Sequence, residues 1–227
     1  IKEAQKIVTL NYDIKGSVKK LDGEIDFNFK IQSTKGKNYL LKISRPNFES
    51  DYIDFQIKLL DHLNKNCEIE IAKNKLTIDG KKSCIVKDNL GRDRSVRLLS
   101  WIDGRLWSSV NPINQSLRKG LGSNTAILSS SLINFKHSFS KREIEWDISN
   151  SLWVEDHLDK FDADQKIILT KFIIDFKRNL TFYKDLPKSI IHNDINDNNI
   201  IVSNDLLNPS IKSIIDFGDS VFTQTIN

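Results

Sequence analysis

Apolar positions change their spacing several times along the chain, and each change marks an element. Ile1, Ala4, Ile7 and Val8 recur at helical spacing, which predicts a short amphipathic helix over residues 1–10. Residues 25–31 and 39–43 are alternating or apolar, with the turn Thr34-Lys35-Gly36-Lys37 between them, so they predict a β-hairpin. After Ser50 or Asp51, either suited to cap a helix, Ile53, Ile57, Leu60 and Leu63 return to helical spacing. Two further strands are predicted over 83–87 and 95–102, separated by Asp88-Asn89-Leu90-Gly91. Past Asp103-Gly104 the pattern is helical over 117–135 and 163–182. The expectation is an α+β chain of two lobes: a β-rich N-terminal lobe over 1–103 and a helical C-terminal lobe over 104–227. No repeat period and no Pro- or Ser-rich linker interrupts it.

Composition narrows the class without changing this outline. The chain has 227 residues, 39% apolar and 28% charged, which excludes a disordered or collagen-like protein. Its net charge of +4 is dispersed, and the basic stretch from Lys73 to Arg97 reads as solvated loop and strand edge, so nucleic acid is not an expected partner. Cys67 and Cys84 have neither disulfide-framework nor zinc-site spacing and read as reduced, apolar residues. No apolar run approaches the ~18 residues that span a bilayer, and residues 1–10 have no signal-peptide pattern, so no membrane partner and a cytoplasmic location are expected. The chain starts at Ile1, carries no methionine and stops at Asn227 shortly after its most informative motif, and it reads as a fragment truncated at the C-terminus.

Two polar clusters carry the chemistry. His192-Asn193-Asp194-Ile195-Asn196-Asp197-Asn198-Asn199 lies between the strand-like runs Ile190-Ile191 and Ile200-Ile201-Val202. Asp216-Phe217-Gly218-Asp219 follows the apolar pair Ile214-Ile215. Polar groups packed this densely are costly to bury unless metal or ligand satisfies them. Two acidic loops at strand ends can converge on divalent cations, and magnesium needs only one or two carboxylates beside water and phosphate oxygens.

In this order, H-x-D-x-x-x-x-N followed by D-F-G resembles the catalytic and metal-binding pair of kinase-like phosphotransferases. Lys42 in Tyr39-Leu40-Leu41-Lys42-Ile43 has the form of the third-strand lysine that holds the α- and β-phosphates. The turn Leu21 to Phe29 would cover the phosphates but lacks G-x-G-x-x-G, and Gln56 stands on the helix where a protein kinase has glutamate. The pattern instead resembles the aminoglycoside phosphotransferase and choline kinase superfamily. L-x-G-E-x-D-x-N-F, R-L-L-x-x-x-x-G-R-L-W from Arg97 to Trp107, Trp146-Asp147, H-x-D-x-N-D-x-N and D-F-G-D look most like its hydroxylysine kinase branch.

The resemblance implies a bilobal protein-kinase-like fold and an ATP- or GTP-dependent, magnesium-requiring small-molecule kinase. Asp194 would be the catalytic base, with His192 bracing its loop. Asn199 and Asp216 would hold magnesium. Lys42, Gly23 and Asn28 would contact the phosphates, while Ser100 and Ile102 lie at the lobe connection that reads the adenine edge through backbone groups. The acceptor would be a small, amine-bearing alcohol of the hydroxylysine, choline, ethanolamine, homoserine or aminoglycoside type, met by an acidic pocket to which Asp147, Asp197 or Asp219 contributes. Asn193 stands where the family commonly has glycine, which restricts the loop, and Gln56 leaves the Lys42 contact neutral rather than ionic.

A nucleotide-binding pseudokinase would have lost one of Lys42, Asp194, Asn199 or Asp216, and all four are present. An atypical protein kinase would keep them and bind a polypeptide; the missing glycine-rich loop counts against it. His62, His137 and His157 read as structural or exposed, and Trp101, Trp107, Trp146 and Trp153 read first as core residues.

Overall fold

The computed structural model describes residues 1–227. In chain order the elements are α1 (Lys2–Tyr12), β1 (Gly16–Leu21), β2 (Phe27–Ser33), β3 (Asn38–Ile43), α2 (Ser50–Asn66), β4 (Asn74–Lys75), β5 (Cys84–Lys87), β6 (Asp93–Ser100) and β7 (Arg105–Leu106). They continue with α3 (Gln115–Leu132), α4 (Ala163–Lys184), β8 (Lys188–Ile191), β9 (Ile200–Val202), β10 (Ile211–Ile214) and β11 (Val221–Gln224). Short 3-10 turns lie at Trp107–Ser109, Ser138–Lys141, Ile148–Lys160 and Phe217–Asp219.

The chain forms two compact units, one of residues 1–127 with 196–215 and the other of residues 128–195 with 216–227. They differ from a single division at Gly104, because β7, β9, β10 and most of α3 belong with the N-terminal sheet. Strands β8, β9 and β10 coincide with the strand-like runs around the two polar clusters, whereas β7 and β11 have no apolar run that predicts them.

The first unit is built on an antiparallel sheet in the order β1-β2-β3-β6-β4, with β5 also pairing β6. Period-two alternation divides its faces. Phe29, Ile31, Leu41, Val96 and Leu98 form one face and pack with Ala4, Val8 and Tyr12 of α1. The opposite face carries Asn28, Lys42 and Arg97 in one cross-strand row. A separate sheet, β10-β9-β7, completes this unit.

Three expectations need correcting. The pattern does not predict β1, because its Lys19 and Lys20 are exposed on an edge strand and mask the alternation. The α2 N-cap is Glu49, with no side-chain capping bond, rather than Ser50 or Asp51. Strand β6 ends at Ser100, so Trp101 and Ile102 lie beyond the ladder.

In the second unit, β11 pairs antiparallel with β8. Helix α4 starts at a capping box in which Asp162 accepts from the Gln165 amide and the Gln165 side chain accepts from the Asp162 amide. Ile173 is the only buried residue of α4, while Ile167, Ile168, Phe172 and Phe182 are exposed. No helix in the chain is long and apolar enough to cross a membrane.

Candidate active site

In the first unit, the pairing of β2, β3 and β6 sets Asn28 opposite Lys42 and Lys42 opposite Arg97. Asp26, two residues before Asn28, falls on the same face and lies diagonal to Lys42. The Asp26 carboxylate lies 3.7 Å from Lys42 Nζ and 3.6 Å from Arg97 Nη2. Arg97 is 2% exposed, and its Nη2 also donates to Gln56 Oε1. The expectation that Gln56 leaves Lys42 with a neutral contact is therefore corrected, since the lysine has an ionic partner from the loop before β2. Sequence reading missed Asp26 because its partnership depends on strand register.

The turn over this row needs a glycine. A Cβ at Gly23 would approach Asn28 Nδ2 to 2.4 Å and the Asp26 carbonyl oxygen to 2.7 Å. Asn28 Nδ2 donates to the Asp22 carbonyl at 3.3 Å, which closes the turn on itself. At the other edge, the Ser100 amide donates to the Lys73 carbonyl, and Ser100 Oγ accepts from the Lys73 amide, both at 2.9 Å. Ile102 is buried, and between them Trp101 lies 4.3 Å beneath Lys30 Nζ. Asn199, 9% exposed, donates its amide to the Asn196 carbonyl at 2.9 Å and accepts from the Ile215 amide at 2.8 Å. Asp197 is exposed, with its carbonyl held by the Ser108 amide at 3.0 Å.

In the second unit, β8 delivers His192, which is 3% exposed. Its Nδ1 accepts from the Asp194 amide at 3.2 Å, and its ring lies 4.8 Å from that of Phe217. The adjacent Asn193 has φ 64, the left-handed conformation for which glycine is the least strained choice and asparagine among the better alternatives. Asp216 is also left-handed, at φ 62, and its carboxylate accepts from the Gly218 amide at 3.4 Å. Arg142, which no motif singled out, donates to the Gly218 carbonyl and, at 3.3 Å, to that of Ser220. Its signal lies only in the fold, because 76 residues separate Arg142 from Gly218.

Asp219 is half-buried at the end of the 3-10 turn. Asp147 is 3% exposed and accepts from the Ser149 amide at 3.0 Å, Thr223 Oγ1 at 3.1 Å and Asn227 Nδ2 at 2.9 Å. Those bonds, all to Oδ1, cap the 148–160 turn and tie down β11, which gives Asp147 a structural task. Trp107 is buried as expected, whereas Trp146 and Trp153 are exposed.

No group of three or more His, Cys, Asp or Glu side chains forms a closed metal cage. Magnesium binds through one or two carboxylates and completes its shell with water and phosphate. Asn199 and Asp216 supply hard oxygen donors of the required kind.

The sequence profile of the APH phosphotransferase enzyme family matches residues 17–224. The chain belongs to that family. Lys42, Asp194, Asn199 and Asp216 all fall inside the matched span. Curated protein sequences give no significant match. Among solved structures, the chain is similar to an amicoumacin kinase in complex with AMP-PNP and Ca2+, with a TM-score of 0.72 and 20% identity over 99% of this chain and 66% of that one. A microcompartment-associated aminopropanol kinase superposes with a TM-score of 0.73 at 20% identity, over 97% of this chain and 70% of that one. The GDP complex of a mutant aminoglycoside 2'-phosphotransferase-IIIa gives 0.73 at 17% identity, over 99% and 73%. The chain thus spans 66% to 73% of the length of these neighbours. At such identities the likeness establishes the phosphotransferase-family fold, and none of the three bears on the hydroxylysine kinase branch.

Proposed function

We propose that this chain carries the nucleotide-binding and catalytic groups of a small-molecule kinase that transfers the γ-phosphoryl of ATP or GTP to a hydroxyl of an amine-bearing alcohol. The observation that carries this reading is the buried His192, whose Nδ1 accepts from the backbone amide of Asp194. That bond fixes the loop conformation presenting the Asp194 carboxylate, as a positioned base requires. Asp194 accepts the proton of the acceptor hydroxyl as its oxygen bonds to the γ-phosphorus and the bond to the β-γ bridging oxygen breaks. Lys42 holds phosphate oxygens, the Gly23 turn with Asn28 lets backbone approach them, and Ser100 and Ile102 offer main-chain groups to the base. Asn199 and Asp216 are the residues suited to hold magnesium, which when bound neutralises charge on the β- and γ-phosphates.

The amine preference draws on the acidic side chains Asp197 and Asp219 and on the named substrates of the structural neighbours, aminopropanol among them. Turnover measured with ATP and with GTP against amino alcohols and aminoglycosides, alongside Asp194→Asn, tests the reading. Phosphorylated product from wild type and none from the variant is expected. Undiminished product from the variant would remove Asp194 from the mechanism.

A further inference from the structure

We propose that Asp26 is the residue that positions Lys42 for nucleotide, taking the place of an acidic residue on α2. The inference rests on the kinase reading of Lys42. Lys42 and Arg97 are both buried cations on the same sheet face, a placement tolerated when a carboxylate offsets them. One Asp26 oxygen, Oδ2, serves both, at 3.7 Å from Lys42 Nζ and 3.6 Å from Arg97 Nη2. From α2 the same face receives Gln56, whose Oε1 accepts from Arg97 and whose Nε2 is buried with no hydrogen-bond partner. The α2 side chain is thus turned as an acceptor toward Arg97, and Arg97 in turn flanks the carboxylate that faces the lysine.

This arrangement changes what the lysine responds to. Asp26 lies three residues after Gly23 and two before Asn28, in the segment assigned to cover the phosphates. A carboxylate on α2 would couple Lys42 to the position of that helix. A carboxylate in the turn couples it to the turn instead, so ordering residues 22–26 around a nucleotide and placing Lys42 become one event. Asp26 is a positioning residue that acts through Lys42.

The experiment is a double-mutant cycle on nucleotide affinity, read by calorimetric titration of ATP with magnesium into the full chain. Wild type, Asp26→Asn, Lys42→Ala and the double variant are compared, with thermal unfolding recorded for each. Asp26→Asn is expected to weaken ATP binding by about 10-fold or more in the wild-type background and by less than about 2-fold in the Lys42→Ala background. A purely structural role would lower the unfolding temperature while leaving the two losses equal. Asp26→Glu runs beside these, because it keeps the charge balance should Asp26→Asn fail to fold. It displaces the carboxylate by one methylene and is expected to cost about 3- to 10-fold, again only when Lys42 is present. Unchanged affinity in the folded variants, or losses of equal size in both backgrounds, overturns the role of Asp26 alone. Wild-type protein that binds neither ATP nor GTP overturns the kinase reading and this inference together.

Discussion

The two units place chemically important side chains by different means. In the first, strand pairing does it: Asn28, Lys42 and Arg97 form a row because β2, β3 and β6 are in register, above a core in which Leu41 and Leu98 are fully buried. In the second, local backbone does it: Asn193 and Asp216 are left-handed, and His192 accepts from an amide two residues on. The surrounding packing differs as well, since α4 buries Ile173 and exposes Ile167, Ile168, Phe172 and Phe182. A register-built row moves only with the whole sheet, whereas a loop-built group can be displaced by one backbone conformation. On the proposed reading, the first arrangement would suit a charge held against phosphates, and the second a base that meets an acceptor.

The sharpest test of that division concerns Asp194. Asp194→Asn should lower turnover by about 10²- to 10⁴-fold while nucleotide affinity, followed by calorimetry, stays within about 3-fold of wild type. Equal loss of nucleotide affinity would put Asp194 among the phosphate and metal contacts and erase the contrast. Asp216→Ala should instead weaken magnesium-dependent nucleotide binding together with the rate.

Packing supplies the next largest effect. Leu41 is fully buried in the first core, so Leu41→Ala should cost about 2 to 5 kcal/mol, measured by chemical denaturation. Comparable stability in the variant would show that this core does not carry the first unit.

Backbone strain in the 192–199 loop is worth less. At φ 64, Asn193→Val should destabilise by about 1 to 3 kcal/mol and depress turnover, while Asn193→Gly should fold and turn over at least as well as wild type. A fully active valine variant would mean that the left-handed residue is dispensable.

The smallest effect is expected on the exposed face of α4. Phe172 is 66% exposed, so Phe172→Ser should change stability by less than about 0.5 kcal/mol and improve solubility in a precipitation assay. A large destabilisation would show that the side chain is covered in solution and would narrow the packing difference between the units.

Much of the fold was legible wherever a run of residues carried one period. The α1, α2, α3 and α4 helices, the β2–β3 hairpin and the strands flanking the H-x-D-x-x-x-x-N loop all follow from apolar spacing. The edge strand β1 was not legible, since exposed lysines on a half-buried strand leave too little apolar contrast. Nor were the bounds of the two units, because β9 and β10 join β7 through pairing across about a hundred residues of chain, as Arg105 opposite Val202 illustrates.

The candidate site divides along the same line. Spacing alone determined that Asp194, Asn199 and Asp216 adjoin apolar strands and that Lys42 lies on one, because these are relations among near neighbours in the chain. Only the tertiary structure decided that Asp26 faces Lys42; that Arg142 holds the 218–220 carbonyls; and that Asp147 accepts from Thr223 and Asn227. Each of these contacts joins residues 16 to 80 positions apart. Hydrogen bonds and ion pairs act over a few ångströms of space, so at such separations they are set by which strands pair and which segments pack, and no local period encodes that.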